Sequence, residues 1–273
     1  MGKIPITFTG VRVTALLELY LRLLDSRDPH PILGDTWAQP VVDQLDFDFD
    51  QFNKLRVGRF PVGVRSRIMD DWIRQVLNQT PDAVVLDLGS GLDSRVWRVN
   101  PSTDHHWYDI DFPDIIKIAE GLYPARPGHT TIRASVTEPG WLATIPGDRP
   151  AIVVADGLFN LLPEHDVRQV FTEIVEHFPH GEIMFNITST VVKKQREKRP
   201  VPLFTKFGIV ERWWLDDPRG VERFDPRLHY VEAGDLNDPT LLKHAPLSYR
   251  LLLAVIGLVP AWKNSGWVVR YRF

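Results

Sequence analysis

The strongest constraint on the fold is a regular alternation of short apolar runs with amphipathic helical segments. The apolar runs predict strands at 84–88, within 105–113, and at 130–136, 151–157 and 181–188. Helices are predicted between them, at 113–122 and at 163–177, where Pro163 suits a first helical turn. Strands and helices that alternate at this spacing predict an α/β fold with a doubly wound, mostly parallel sheet.

The sharpest local feature is a glycine turn at the end of the first predicted strand. Gly89 and Gly91 stand in the segment DLGSGLDSR, where the missing Cβ atoms allow a tight turn and a close approach to a ligand. Asp111 follows Gly91 by 20 residues and Asp109 lies two residues earlier. An acid at this spacing commonly binds ribose hydroxyls, and either aspartate suits that position. Ser94 stands where a dinucleotide-binding turn favours a third glycine, so a nucleoside ligand without phosphates fits better.

The segments outside this alternation predict a cap and a lid. Amphipathic helices are expected at 11–24 and 65–77, with a proline-rich loop at 27–40. After Thr188 the alternation stops, and it resumes with a helix near 248–256 and a strand near the carboxyl terminus. The predicted organisation is therefore one domain, 1–273. Its parts are an N-terminal helical cap (1–64), a cofactor-binding core (65–188), a lid or substrate insertion after the fifth strand (189–240), and a C-terminal helix and strand (241–273).

Composition excludes several functions. The chain has no cysteine, which rules out disulfides and zinc–thiolate sites, and it fits a cytoplasmic protein. A net charge of -3 gives no electrostatic reason to expect nucleic acid as a partner. The longest apolar run, 251–260, is too short to span a membrane and suggests a buried helix or strand. The alternating acids of LDFDFD (45–50) predict a solvated face opposite inward apolar side chains, and no metal site is expected.

Two segments, GSGLDSR (89–95) and IDFP (110–113), resemble the motifs of the leucine carboxyl methyltransferase family. The opening helix and VRSRIMDDW (64–72) are similar to the polyketide (tetracenomycin-type) O-methyltransferase branch of that family. The resemblance covers about residues 9–190. It implies a class I methyltransferase, Rossmann-like fold and S-adenosyl-L-methionine as the cofactor, with S-adenosyl-L-homocysteine as the product.

The resemblance also implies roles for individual residues. Arg65 would bind the methionine carboxylate of the cofactor, Asp111 the ribose, and Asp156 would lie near the amino group. Ser135 stands where the family often has an aspartate near the adenine. The full set of expected cofactor-binding residues is Arg65, Asp87, Gly89, Ser90, Gly91, Asp109, Asp111, Phe112, Ser135, Val136, Asp156 and Gly157.

The expected reaction is O-methylation of a small-molecule carboxylate or phenolic hydroxyl, on a polyketide-like or other secondary metabolite. A carboxylate with a pKa near ~4 needs no general base, whereas a phenol near ~10 benefits from one. Among the nine histidines, His229 is the best candidate base because it falls in the predicted lid. The basic run 193–199 predicts a solvated face, with attraction of an anionic acceptor as the alternative.

Other functions stay open on the sequence alone. A cofactor-binding relative could carry out non-methylating chemistry, such as cyclisation, because folds host more than one reaction. A nicotinamide-dependent reductase is disfavoured by the missing third glycine and by the lack of a Tyr-x-x-x-Lys pair. A protein carboxyl methyltransferase and a binding module without catalysis complete the alternatives. The sequence leaves the oligomeric state open.

Overall fold

The fold is organised around one seven-stranded sheet in a computed structural model that describes residues 2–259, 262 and 265–273. The strands run β3-β2-β1-β4-β5-β7-β6 across the sheet. The first five of these pair in parallel, and β7 pairs antiparallel with both β5 and β6. The strand bounds are β1 Val84–Leu88, β2 Trp107–Asp111, β3 His129–Arg133, β4 Ala151–Ala155, β5 Gly181–Thr188, β6 His229–Gly234 and β7 Gly266–Arg272.

Helices cover the sheet and extend it at the N-terminus. The central strands β1 and β4 are buried along their whole length, as expected for parallel strands covered on both faces. The predicted alternation is therefore confirmed, although β3 ends at Arg133, before the predicted limit. The helices are α1 Val13–Ser26, α2 Ala38–Gln44, α3 Arg59–Gln79, α4 Arg95–Val99, α5 Pro113–Leu122, α6 Glu164–His177, α7 Thr190–Lys198, α8 Pro202–Phe207 and α9 Leu247–Gly257.

The N-terminal cap packs around α1. Leu16, Leu19 and Leu23 of this helix are buried in a cluster of apolar side chains, and α1 contacts both α2 and α3. The predicted loop 27–40 is too long at its end, because α2 already begins at Ala38. In the segment 45–50 the aspartates are exposed while the apolar residues between them are buried or half-buried, as predicted. This packing places Ala15 of α1 next to Gly91, which follows the carboxyl end of β1.

The segment 189–240, which was predicted to be a lid, also contributes a strand to the main sheet. It begins with α7 and α8, but it also contains β6, which is an edge strand of the main sheet. The backbone of β6 forms a ladder with β7 from His229 to Gly234, with a register shift between Tyr230 and Glu232. The prolines and turn residues that precede β6 concealed this short strand in the sequence.

The apolar run 251–260 is not buried as predicted. Within α9 and the residues after it, Leu251 is 57% exposed, Val255 62% and Leu258 81%, while Pro260 lies outside the described residues. The opposite side of α9 packs on α3, where Tyr249 stacks on Phe60. Among the described residues, no helix combines the length and the apolarity needed to cross a bilayer.

Candidate active site

A cavity of about 490 Å³ opens at the carboxyl ends of β1, β2 and β4. In an open α/β sheet this is the edge where ligands bind. Its volume lies within the range of about 300 to 1,000 Å³ found for small-molecule sites. The walls come from the loops after these strands, from α1 and α3 of the cap, and from α7 and α8. The cavity therefore has a sheet end and an end built by short helices.

The glycine turn after β1 forms the floor of the sheet end. Gly89 and Gly91 adopt φ values of +63° and +60°, which side chains disfavour. A Cβ on Gly89 would lie 3.1 Å from Cδ1 of Leu158, and one on Gly91 would lie 3.3 Å from Cβ of Ala15 on α1. The turn therefore requires glycine at both positions. Asp87 and Ser90 line the cavity beside it.

Asp111 faces the cavity at the end of β2, next to Phe112. Its carboxylate accepts hydrogen bonds from the backbone N–H of Gly91 at 2.7 Å and of Phe112 at 2.6 Å. Burial raises the pKa of Asp111 to about 6, and the two backbone donors only partly oppose this effect. The side chain is therefore a fixed acceptor beside the glycine turn, where ribose hydroxyls would be bound.

Asp109, the other acid that suited this role, lies away from the cavity. It accepts from Nε1 of Trp107 at 2.9 Å and contacts Nε2 of His129 at 2.8 Å. These two partners, on β2 and on the neighbouring strand β3, occupy its carboxylate. Of the two aspartates, the structure brings only Asp111 to the cavity.

Arg65 and Asp156 meet at the cavity wall beneath α1. Nε of Arg65 donates to Oδ1 of Asp156 at 2.6 Å. Asp156 also accepts from Nη2 of Arg95 at 2.6 Å and from Oγ of Ser66 at 2.7 Å. Burial alone would raise the pKa of Asp156, but Arg65, Arg95 and Ser66 outweigh it and lower the pKa to about 2. The cation expected beside Asp156 was a ligand ammonium, whereas the protein itself supplies two guanidinium groups.

Gly157, which follows Asp156, lines the cavity with a φ of +82°. Its backbone N–H donates to Oδ1 of Asn186 at 2.7 Å, which fixes the loop after β4 to β5. A Cβ at this position would lie 3.5 Å from Nη2 of Arg65, in ordinary contact. The positive φ is therefore the reason for glycine here.

A buried ionic network lies beneath the glycine turn. Arg95 contacts Asp70 at 2.9 Å and Asp87 at 3.1 Å, in addition to Asp156. Its side chain is 1% exposed, so its charge depends on these carboxylates. The network continues through Arg22, Asp35, Asp93, Ser94 and Arg98. The LDSR part of the motif therefore holds the turn, the cap and the strand ends together.

The other end of the cavity is more apolar and is bounded by short helices. Arg196 of α7 lies 5.3 Å over the ring of Phe204 of α8 and contacts Glu211. Lys54 lines the wall from the 3-10 helix Phe49–Gly58. Among the residues that the structure describes, no histidine or tyrosine lines the cavity. This end offers cations and apolar surface but no imidazole.

Besides Asp109, three further predicted site residues lie outside the cavity lining. Ser135 and Val136 follow β3 outside the cavity lining, where Val136 is buried in the apolar core and Oγ of Ser135 lies 2.8 Å from Oγ1 of Thr137. His229 is exposed at the start of β6 and pairs with Arg272, level with the start of β5. It therefore lies at the opposite end of the strands from the cavity, because β6 belongs to the sheet, and the structure does not bring the predicted base to the site.

Several other polar residues line the cavity and were not predicted from the sequence. They are Glu18, Lys54, Asn160, Asn186, Arg196 and Glu211, of which only Arg196 fell within a segment already considered for substrate attraction. Two carried a recognisable signal. Glu18 interrupts an apolar stretch of α1, and Asn186 interrupts the apolar strand β5 near its carboxyl end.

The residues at the sheet end fit a nucleoside joined to an amino acid. Asp111 supplies an acceptor for ribose hydroxyls, and the glycine turn leaves room for the chain that joins the two parts. Arg65 faces the same space with a guanidinium group that can bind a carboxylate. S-adenosylmethionine has these three parts, so the donor set fits it.

Comparisons with known proteins agree with this fit. The family model described as leucine carboxyl methyltransferase matches residues 15–123. The chain is 35% identical over 273 residues, the full length of both proteins, to the tetracenomycin polyketide synthesis O-methyltransferase TcmP of Streptomyces glaucescens. It is 28% identical to the S-adenosyl-L-methionine-dependent methyltransferase dpfgK of Gibberella zeae, over 85% of this chain and 84% of that protein.

A solved structure supports the fold. A DUF574 family protein from Streptomyces avermitilis superposes with a TM-score of 0.63, covering 97% of both chains at 13% identity. The sheet order and this likeness confirm the predicted class I fold. Full-length similarity to TcmP, together with the matched family model, shows the family. The chain belongs to the leucine carboxyl methyltransferase family and is an S-adenosylmethionine-dependent O-methyltransferase.

Proposed function

We propose that this methyltransferase acts on a carboxylate of a small aromatic, polyketide-like acceptor. The observation that carries the proposal is the composition of the helical end of the cavity. Lys54 and Arg196 place cations there, and Glu211 pairs with Arg196. Phe204 adds an aromatic face, and no histidine or tyrosine lines the described part of the wall. The similarity to TcmP, whose name refers to tetracenomycin polyketide synthesis, supports the same acceptor class.

The chemistry requires little from an acid or base. Bound S-adenosylmethionine supplies an electrophilic methyl group on a sulfonium. A carboxylate acceptor is ionised at neutral pH and needs no proton removed, so the protein's task is to align it and exclude water. Lys54 and Arg196 would orient the acceptor's negative charge, and the apolar wall of Leu55, Val57 and Phe204 would pack against its rings.

At the sheet end, Asp111 would hold the ribose hydroxyls and Arg65 the cofactor carboxylate. Asp156 would act on the cofactor through Arg65, because it already binds that guanidinium group and Arg95. With these roles, the cofactor would be held at the sheet end and the acceptor would approach it from the helical end. A phenolic acceptor is the second candidate, and it would need a base that the described wall does not offer as an imidazole.

Product analysis tests the proposal. Protein would be incubated with S-adenosylmethionine carrying a tritiated methyl group and with matched pairs of aromatic acids and phenols. We expect transfer to the acids, as methyl esters that release labelled methanol in alkali. Label that resists alkali would indicate a phenol ether and overturn the carboxylate proposal. Transfer to a peptide carboxyl terminus, or cofactor consumption without methylated product, would support the protein-methylating or cyclase alternative.

A cytoplasmic location, a lack of nucleic-acid and membrane partners, and a small-molecule acceptor stay predictions for the protein as a whole. The structure adds only that no described helix could span a membrane.

A further inference from the structure

Helix α1 of the cap contributes a carboxylate to the sheet end of the cavity. Oε2 of Glu18 lies 2.6 Å from Nη2 of Arg65, and the two side chains are 24% and 14% exposed. Both residues line the cavity, and the neighbouring Ala15 forms the surface that faces Gly91. The helix therefore forms part of the wall at the end of the cavity that fits the cofactor.

Glu18 and Arg65 pair with each other inside the cavity. Oε2 of Glu18 and Nη2 of Arg65 are both buried and form an ion pair, and no other side chain binds either atom in the described part of the chain. Each of these atoms is therefore balanced by a single partner, which a ligand group of the same charge can replace. These two atoms lie side by side with opposite charge.

Asp156, by contrast, is fully engaged. It accepts from Arg65, Arg95 and Ser66 at 2.6 to 2.7 Å, and its side chain is 7% exposed. The two guanidinium groups already compensate its charge. Glu18 engages Arg65 through Oε2, so it is the carboxylate beside Arg65 whose second oxygen, Oε1, has no partner among the described residues.

We propose that Glu18 is a cofactor-binding residue that accepts hydrogen bonds from the α-ammonium of the cofactor, while Arg65 binds its α-carboxylate. The ammonium and carboxylate of an amino acid share one carbon, so an adjacent carboxylate and guanidinium match them as a pair. The cofactor would thereby exchange one protein ion pair for two ion pairs with the ligand. This inference rests on S-adenosylmethionine being the cofactor.

The assignment makes the cap part of cofactor recognition. Because α1 also packs on α2 and α3, the contact of Glu18 would connect the amino-acid end of the cofactor to the packing of the cap. It also gives Asp156 a different role from the one that the sequence suggested. Asp156 positions Arg65, and Glu18 contacts the ligand.

Calorimetry on the Glu18→Gln variant tests the contact. The probes are S-adenosylhomocysteine and its deaminated analogue, in which hydrogen replaces the amino group. We expect Glu18→Gln to weaken S-adenosylhomocysteine binding about 10- to 100-fold, as for loss of a charged hydrogen bond. The deaminated analogue should bind the variant as tightly as wild type, or more tightly, because the unpaired carboxylate is gone. The exposed Glu176→Gln on α6 is the matched control and should change neither affinity.

Equal weakening of both ligands would overturn the proposal, because it would mean that Glu18 acts through the fold. Unchanged affinity for S-adenosylhomocysteine would overturn it as well. If the variant does not fold, the same two ligands are compared on wild-type protein. Equal affinities there would overturn the proposal, because they would exclude any contact with the ammonium. Wild-type protein that binds neither ligand would instead show that the cofactor assignment itself is wrong.

Discussion

The two ends of the cavity are built in different ways. The sheet end is fixed by buried strand ends, a glycine turn with no space for side chains, and a buried guanidinium network. The helical end is formed by α7, α8 and a 3-10 helix, whose side chains are mostly half-buried or exposed. A rigid end suits a ligand that never changes, and short surface helices suit an acceptor that differs among relatives. Substitutions at one end of the cavity at a time test this contrast.

The largest effect is expected from removing Arg95. This guanidinium group joins Asp70, Asp87 and Asp156 at 1% exposure, so Arg95→Met leaves three buried carboxylates without their shared cation. We expect a loss of about 3 to 5 kcal/mol in the free energy of unfolding. Urea denaturation followed by tryptophan fluorescence measures it.

Arg67→Met is the matched control for Arg95→Met. Arg67 pairs with Asp71 on the exposed face of α3, with 44% of its side chain accessible. Exposed ion pairs of this kind contribute roughly 0 to 1 kcal/mol. Similar losses in the two variants would contradict the view that the sheet end depends on its buried network.

The next effect concerns Asp111 and pH. Burial raises its pKa to about 6, so the carboxylate takes up a proton as the pH falls from 7 to 5 and loses acceptor capacity for the ribose. Affinity for S-adenosylhomocysteine should therefore fall over this range, by at most about tenfold per pH unit below 6. Calorimetry at several pH values measures the slope.

Asp111→Asn provides the control for that slope. The amide keeps the size of the side chain but cannot titrate, and it replaces one acceptor oxygen by a donor. We expect affinity at pH 7 to be about 10- to 100-fold weaker and nearly constant between pH 5 and 7. A slope that persists in Asp111→Asn would assign the titration to another group.

The same contrast explains what the sequence could reveal. Gly89, Gly91 and Asp111 were predictable because backbone conformation and strand ends leave a fixed spacing in the chain. The role of LDSR (92–95) in the ionic network was not predictable, because Arg95 binds carboxylates that come from three other segments of the chain. Glu18 was missed for the same reason, because it meets Arg65 only after α1 packs on α3.

At the helical end, prediction failed in a different way. The turn-rich composition of 189–240 indicated a lid, but the same composition also hid β6, so His229 was placed in the lid although it begins this strand. Which residues of this segment reach the cavity depends on how α7 and α8 pack. Arg196 and Phe204 do so, whereas Lys198, only two positions after Arg196, is exposed.

A smaller effect is expected from Phe204→Ala. Phe204 lines the helical end and packs under Arg196, so its loss should raise the KM for the acceptor about tenfold through lost apolar contact. Affinity for S-adenosylhomocysteine should change less than about twofold, because the sheet end is untouched. Phe207→Ala, on the same helix but outside the cavity lining, is the control. A parallel loss of cofactor affinity would show that the two ends are coupled.

The smallest effect is expected at His229. Its imidazole is exposed at the start of β6, at the end of the strands opposite the cavity, so His229→Gln should leave kcat and KM within about twofold of wild type. Initial rates between pH 5.5 and 8.5 with a carboxylate acceptor measure this, and both proteins should show the same profile. A fall in kcat together with a changed pH profile would identify His229 as a base after all. That result would require β6 or a second copy of the chain to reach the acceptor, and would remove the main argument for a carboxylate substrate.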